Sequence, residues 1–233
     1  MKTLFILLGL SSILFSSEYK TWYYPSWAEN AKYNKALTVR DTDSALGRYN
    51  IKTKQIDLHT LTIAHGHLCD GLSIAYVELS AVLNKLFPDG IIDRTDLQVV
   101  AKNSPCLVDA AALTTGARIN FKNLSIDNSV GAGYIVHQIS TGKTYEVQLK
   151  KGVFPQEQKD FETRIKNLRK QGKQVDAQSI DKVEIMANDL IKKLLNTSPD
   201  KLVNIKELKN YKFVFTTKDF GSRSDIINKE IQR

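Results

Sequence analysis

The chain has 233 residues, of which 42% are hydrophobic and 25% charged, and it carries a formal net charge of +8 at pH 7. This composition is that of an ordinary globular protein, and the sequence contains no internal repeat or low-complexity stretch. The chain has only two cysteines, so it can form at most one internal disulfide.

The first residues, MKTLFILLGLSSILFSSEYK, predict a secretory signal peptide over residues 1–17. One lysine precedes an apolar run from Leu4 to Phe15, and Ser16 and Ser17 follow it. The run is about 12 residues long, shorter than the ~20 that a helix needs to cross a bilayer. We therefore expect cleavage near the two serines, export to a bacterial periplasm and no transmembrane segment in the mature protein.

An aromatic-rich N-terminal arm, residues 18–50, follows the predicted signal peptide. Its tryptophans and tyrosines are expected to pack on the body of the protein or on a second subunit, with ligand binding as the alternative; they are Trp22, Tyr23, Tyr24 and Trp27. Apolar residues between Thr53 and Ala64 fit either a helix or a strand. We favour a helix that leads into His65 and is broken by Gly66.

The next elements have clearer signals. From Leu72 to Leu86, apolar residues recur every three or four positions, which predicts an amphipathic helix ending at FPDG. A strand over 96–103 precedes a second helix, with Ser104 as N-cap, Pro105 in the first turn and Gly116 after the last turn. Residues 118–126 predict a strand, and the alternation around STGK predicts a hairpin that turns at 140–143.

The composition changes after Gly152, where we expect a helical C-terminal extension, residues 153–233, to follow a core of residues 51–152. Two charged amphipathic helices, over 155–172 and 179–196, are predicted to form a surface hairpin. The segment 211–217, YKFVFTT, predicts a final strand.

Basic residues are densest over 142–173. Solvated helix faces are the favoured interpretation; an anionic partner or a membrane surface is the alternative. No nucleic-acid-binding signature accompanies these residues, so we expect no nucleic-acid partner.

The stretch His65-Gly66-His67-Leu68-Cys69 brings two of the four histidines and one of the two cysteines together. Imidazole and thiolate are common protein ligands for zinc, nickel, copper and iron. Cys69 falls beside the predicted start of one helix and Cys106 in the first turn of another. Helix N-termini favour thiolates, and these two could converge on one cleft.

Asp109 lies three residues after Cys106, on the same face of the predicted helix. It could be a metal ligand, a partner that orients a histidine, or a surface acid. A Cys69–Cys106 disulfide is a competing interpretation for an exported protein, and a thiol enzyme that uses Cys69 with His65 or His67 is another. Sequence templates for serine hydrolases, nucleotide-binding loops and HExxH metalloproteases are absent.

The motifs HGHLCDG, residues 65–71, and CLVDAAALTTG, residues 106–116, resemble the E-subunit family of formylmethanofuran dehydrogenase. KNLSI and STGKTYEVQL follow in the family's order, and the resemblance covers about residues 50–210. Asp70 stands where relatives usually have proline, and Ala117 stands where they often have cysteine. With two cysteines in the chain, the cysteine-rich zinc module of some relatives cannot be present.

The resemblance implies an α+β fold, with mixed helices packed on an antiparallel sheet, and a homodimer. It also implies a cleft whose metal-ligand candidates are His65, His67, Cys69, Cys106 and Asp109. The expected ligand is a transition metal, with zinc first and nickel, iron or haem as alternatives, and a small molecule could bind beside it. It does not imply oxidation of formylmethanofuran, because that chemistry belongs to a different polypeptide of the complex.

Overall fold

The computed structural model describes residues 22–221 and 229–231, so the predicted signal peptide lies outside the described residues. The helices α1 to α7 span Ser26–Glu29, Leu58–His65, Asp70–Leu86, Pro105–Thr115, Gln156–Lys170, Ala177–Asn196 and Pro199–Leu202. The strands β1 to β8 span Leu37–Arg40, Lys54–Ile56, Ile91–Asp93, Leu97–Ala101, Leu124–Ile126, Tyr134–Gln138, Thr144–Leu149 and Val203–Glu207. The chain therefore has the predicted α+β fold.

The strands form two mixed sheets rather than one antiparallel sheet. The larger has the order β5-β4-β6-β7-β8, in which only β4 and β5 run parallel. The smaller has the order β2-β1-β3 and takes β1 from the N-terminal arm. The last strand of the large sheet, β8, comes from the predicted C-terminal extension.

Helix α3 is the centre of the molecule. Its apolar residues recur at helical spacing, as predicted, and several are completely buried, among them Leu72, Leu79 and Leu83. The helix lies against the large sheet through β6 and β7, and α4 and α6 pack along it. The Tyr76 hydroxyl donates to the Lys35 carbonyl oxygen at 2.6 Å, which attaches the N-terminal arm to this helix. Through these contacts α3 fixes the positions of α4 and α6.

The predicted helix before His65 begins later than expected. Residues 54–56 form β2, and α2 starts only after Asp57, whose carboxylate accepts from the Thr60 backbone N–H at 2.7 Å. An N-cap of this kind satisfies one of the free amides at the start of a helix and fixes where the helix begins.

Two strand predictions were wrong in extent or place. Within 118–126 only Leu124–Ile126 is a strand, because a 3-10 turn and Lys122, with φ of 57°, interrupt the extended chain. The segment 211–217 is not a strand. It runs beside β5, where the Ser125 hydroxyl donates to the carbonyl oxygens of Val214 and Thr216. The Ser125 side chain thus makes some of the hydrogen bonds to this segment that backbone groups would make between two paired strands.

No helix among the described residues is long and apolar enough to span a bilayer.

Candidate metal centre

The site lies where the end of α2 meets the beginnings of α3 and α4. His65 is the last residue of α2, and Gly66 follows it with φ of 106°, a left-handed conformation that favours glycine. This turn brings Cys69 to the N-cap of α3, where its sulfur accepts from the Leu72 N–H at 3.4 Å. Cys106 is in the first turn of α4, after Pro105. Both cysteines are thus at helix N-termini, as predicted.

The two N-termini converge on His65. The sulfur atoms of Cys69 and Cys106 are 3.6 Å apart, and the His65 Nε2 atom is 3.6 Å from Cys106 Sγ and 3.9 Å from Cys69 Sγ. These three side chains form a group that could hold a metal ion.

The distances can be compared with those around a tetrahedral ion. Metal–sulfur bonds of about 2.3 Å and metal–nitrogen bonds of about 2.0–2.1 Å separate two sulfurs by about 3.8 Å and a sulfur from a nitrogen by about 3.6 Å. The triangle formed by Cys69, Cys106 and His65 has edges close to these values. The donor atoms therefore fit a transition metal with one coordination position left for a fourth ligand.

Asp109 orients the histidine. Its Oδ2 atom lies 2.8 Å from His65 Nδ1, and the His65 side chain is only 5% exposed. A carboxylate is an acceptor, so Nδ1 carries a proton and Nε2 is directed at the sulfurs. Asp109 thus occupies the position of the carboxylate that commonly holds a metal-binding histidine, and it is not itself in the donor group.

Protons are unevenly distributed over the two thiols. The Cys106 sulfur contacts both Cys69 Sγ and His65 Nε2, and these two hydrogen bonds lower the pKa of Cys106, although its burial acts to raise it. The same contact with Cys106, together with burial, raises the pKa of Cys69. The hydrogen bond to Cys106 and that to Asp109 raise the pKa of His65 to about 9. At neutral pH without metal, Cys106 is therefore the thiolate and His65 an imidazolium.

His67 lies beside the cluster but outside it. Its ring centroid is 4.9 Å from that of His65, and the residue is exposed. Both cysteines are free, and 3.6 Å between their sulfurs is well beyond the ~2.05 Å of a disulfide bond. The structure thus brings together four of the five predicted residues. His65, Cys69 and Cys106 are the donors, and Asp109 is the hydrogen-bond partner of His65. The fifth, His67, lies next to this group.

Gly71 is a functional residue that the motif contained but that sequence reasoning assigned no role. A β-carbon at this position would meet Cys106 Sγ at 2.9 Å, closer than such atoms approach. Glycine here lets α4 come near enough to α3 for the sulfurs to meet. The sequence gives one signal of this role. Glycine is a poor helix former, so its presence in the first turn of a helix indicates another reason for it.

A cavity of about 700 Å³ opens beside Cys69 and His67. Its walls come from four segments: the N-terminal arm, the loop before α3, α5 and α6. The sequence did not predict that α5 and α6 line this cavity. Their amphipathic patterns show that each helix buries one face, but they do not show which element that face packs against.

A family model described as "FmdE, Molybdenum formylmethanofuran dehydrogenase operon" matches residues 64–204. The match includes the loop with His65 and Cys69, the start of α4, and the large sheet as far as the beginning of β8. A search of curated proteins found no match. The family match and the His/Cys/Cys cluster together indicate a metal-binding protein.

Proposed function

The chain belongs to the FmdE family, and we propose that it binds a transition metal ion, zinc first, through His65, Cys69 and Cys106. The observation that carries the proposal is the triangle of two sulfurs and one imidazole nitrogen, with edges of 3.6–3.9 Å. Two thiolates and an imidazole are a donor set that suits zinc, while nickel and iron are the next candidates and haem follows them.

Three protein ligands leave a fourth position, which is the pattern of catalytic rather than structural zinc sites. A metal there would supply Lewis acidity toward a bound water or substrate atom. Asp109 holds a proton on Nδ1 of His65, so Nε2 is the nitrogen that is left for the metal. The burial of the His65 side chain limits access of water to this ligand.

Metal analysis of anaerobically purified protein tests the proposal. We expect about one ion per chain in the wild type and a large loss in Cys106→Ser and in His65→Ala. His137→Ala is the matched control, because this histidine lies on β6 and hydrogen-bonds Thr144 instead. Equal metal content in all four proteins would contradict the proposal. A loss in His67→Ala as well would identify His67 as the fourth ligand.

A second candidate function is a thiol-dependent enzyme, in redox or one-carbon chemistry. Contacts with Cys69 and His65 lower the pKa of Cys106, and a stabilised thiolate beside an imidazolium is the arrangement of thiol nucleophiles. This observation favours Cys106, rather than Cys69, as the reactive sulfur. Alkylation of metal-free protein near pH 6.5 should then modify Cys106 well before Cys69; equal or negligible modification of both would oppose this function.

We also propose that the protein is exported to a periplasm and acts as a homodimer. The apolar run of residues 4–15 and the family resemblance support these two statements. Mass spectrometry of protein from the periplasmic fraction should show a mature N-terminus near residue 17, and light scattering should give twice the mass of one chain. An uncleaved chain in the cytoplasm, or a monomeric mass, would contradict the corresponding statement.

A further inference from the structure

Aromatic side chains form one wall of the cavity beside the metal centre. The chain contains two tryptophans, Trp22 and Trp27, and both line this cavity together with Tyr23. Trp22 is 80% exposed, although burial of a tryptophan is strongly favourable. Aliphatic side chains of α5 and α6 also line the cavity; they are Ile165, Ile180, Val183 and Ala187. A volume of about 700 Å³ is in the ~300–1,000 Å³ range of small-molecule sites.

The charge of the cavity is opposite to that of the protein. The chain carries +8 overall, but among the described residues the charged side chains that line the cavity are those of Asp70, Glu162, Glu184 and Lys166. Burial and the nearby Glu162 raise the pKa of Asp70, so Glu162 and Glu184 contribute most of the negative charge. Lys166 contacts Glu162 at 3.1 Å, but its side chain is 63% exposed, so solvent screens the pair. The described lining thus has more acidic than basic side chains and favours a cation over an anion.

A buried amide holds two of the carboxylates in place. The Gln158 Nε2 group donates to Asp70 at 2.6 Å and to Glu162 at 3.0 Å, and Gln158 is completely buried. This bridge joins α5 to the start of α3 and fixes two walls of the cavity relative to each other. Two of the three acidic side chains, those of Asp70 and Glu162, are thus positioned by the fold.

The aromatic wall is suited to cations as well. The Lys192 ammonium lies 5.3 Å from the Trp27 ring centroid and occupies that ring, so the tryptophan available to a ligand cation is the exposed Trp22. Tryptophan is the strongest partner for cation–π contacts, and aromatic rings beside carboxylates are a common way to bind ammonium ligands.

We propose that this cavity binds an organic cation with an apolar or aromatic body and that this molecule is the substrate of the adjacent centre. The statement that it is a substrate depends on the proposed function, because it uses the fact that Cys69 lines the cavity as well as belonging to the donor group. Binding in the cavity does not depend on a metal. Anionic ligands such as nucleotides, or haem with its carboxylates, would face the acidic wall.

The test uses two probes of similar shape and opposite charge, 4-phenylbutyltrimethylammonium and 4-phenylbutyrate. A quaternary ammonium cannot ligate a metal, so its binding reports the cavity alone. Because both tryptophans line the cavity, selectively excited tryptophan fluorescence follows binding directly. We expect the cation to bind at least about tenfold more tightly than the anion, and Glu162→Gln with Glu184→Gln to weaken cation binding about tenfold.

Glu157→Gln is the matched control, since Glu157 lies on α5 and is not among the residues that line the cavity. Equal binding of the two probes, preference for the anion, absence of binding, or unchanged affinity in the double variant would overturn the proposal. Each single variant is measured too, with circular dichroism to establish that it is folded.

A further experiment distinguishes a failure of this proposal from a failure of the proposed function. Cys106 and His65 do not line the cavity, so Cys106→Ser should lose metal and still bind the cation. Cation binding without any metal binding in the wild type would reject the metal centre and keep the cavity. Metal binding without cation preference would reject the cavity and keep the metal centre.

Discussion

His65 contacts every other residue of the proposed metal site: Asp109, Cys69 and Cys106. One ring nitrogen contacts Asp109 at 2.8 Å and the other faces the two sulfurs, so a single side chain links α2 to α3 and α4. Its ring is nearly buried, and the same contacts that would orient it for a metal keep a second proton on it when no metal is present. Metal binding and proton release are therefore coupled at this residue.

The first prediction concerns these protons. At pH 7 the raised pKa values of His65, about 9, and of Cys69 leave both groups protonated, while that of Cys106 is lowered. Zinc binding should therefore release about two protons, and affinity should increase as the pH rises from 6 to 9. Calorimetry in buffers of different ionisation enthalpy measures the release. Binding without proton release would be inconsistent with these protonation states.

The second prediction concerns Asp109. Asp109→Asn keeps the size of the side chain but removes the charge that holds the Nδ1 proton of His65. Replacement of such partners commonly costs about 10–100-fold in metal affinity, and we expect a loss in this range. Competition with a chelator measures it. Asp189→Asn, on the exposed face of α6, is the control and should bind metal like the wild type.

At the scale of helices and strands, α3 determines where the two cysteines of the site lie relative to each other. Cys69 is its N-cap and Gly71 lies in its first turn, and its apolar face packs on the sheet and on α4 and α6. The position of Cys106 relative to Cys69 is therefore set by helix packing, at a point where two backbones come close.

The third prediction tests this packing. Gly71→Ala should displace Cys106, since the added carbon would lie 2.9 Å from its sulfur. Alanine is the better helix former by about 1 kcal/mol, so the helix itself should not be weakened. We expect reduced zinc affinity in a folded protein, measured by chelator competition and circular dichroism. Wild-type affinity in this variant would mean that α3 and α4 can separate without cost to the site.

The fourth prediction concerns Glu78, which α3 buries completely against the large sheet. Its carboxylate accepts from the Leu149 N–H at 2.7 Å, and burial raises its pKa to about 8 from an ordinary 4.5. The folded state therefore holds this proton more tightly than the unfolded state. The stability that the protonated group contributes is complete below pH 4.5 and is lost as the pH rises through 8.

Glu78→Gln should remove this dependence. Relative to the variant, the wild type should lose up to about 1.4 kcal/mol of unfolding free energy per pH unit within that window. Urea denaturation at a series of pH values gives the difference between the two proteins. A constant difference from pH 5 to pH 8 would show that Glu78 has an ordinary pKa.

The elements differ in how far their sequences determine them. Periodicity and caps were sufficient for α3, α4 and the β6–β7 hairpin, because those signals are local. Residues 118–126 and 211–217 were misjudged, since Lys122 and the contacts of Ser125 with Val214 and Thr216 decide their conformation. The convergence of Cys69 and Cys106 could be predicted because both lie at helix starts. The close approach at Gly71 could not, because it depends on tertiary packing.

At the scale of the whole molecule, the metal centre and the cavity are built from distant parts of the chain. The donors come from residues 65–106, whereas the cavity also needs the N-terminal arm and the pair α5 and α6. No local signal specifies that these segments meet. The predicted role of the arm, packing on the body, therefore describes only part of what it does: Tyr24 is buried, but Trp22 is exposed at the cavity.

The central claim is that His65, Cys69 and Cys106 bind one metal ion together. X-ray absorption at the metal edge of the loaded protein tests it most directly, because sulfur and nitrogen scatterers are distinguished by distance. We predict two sulfurs at about 2.3 Å and at least one nitrogen at about 2.0–2.1 Å. A first shell of nitrogen and oxygen without sulfur would contradict the claim.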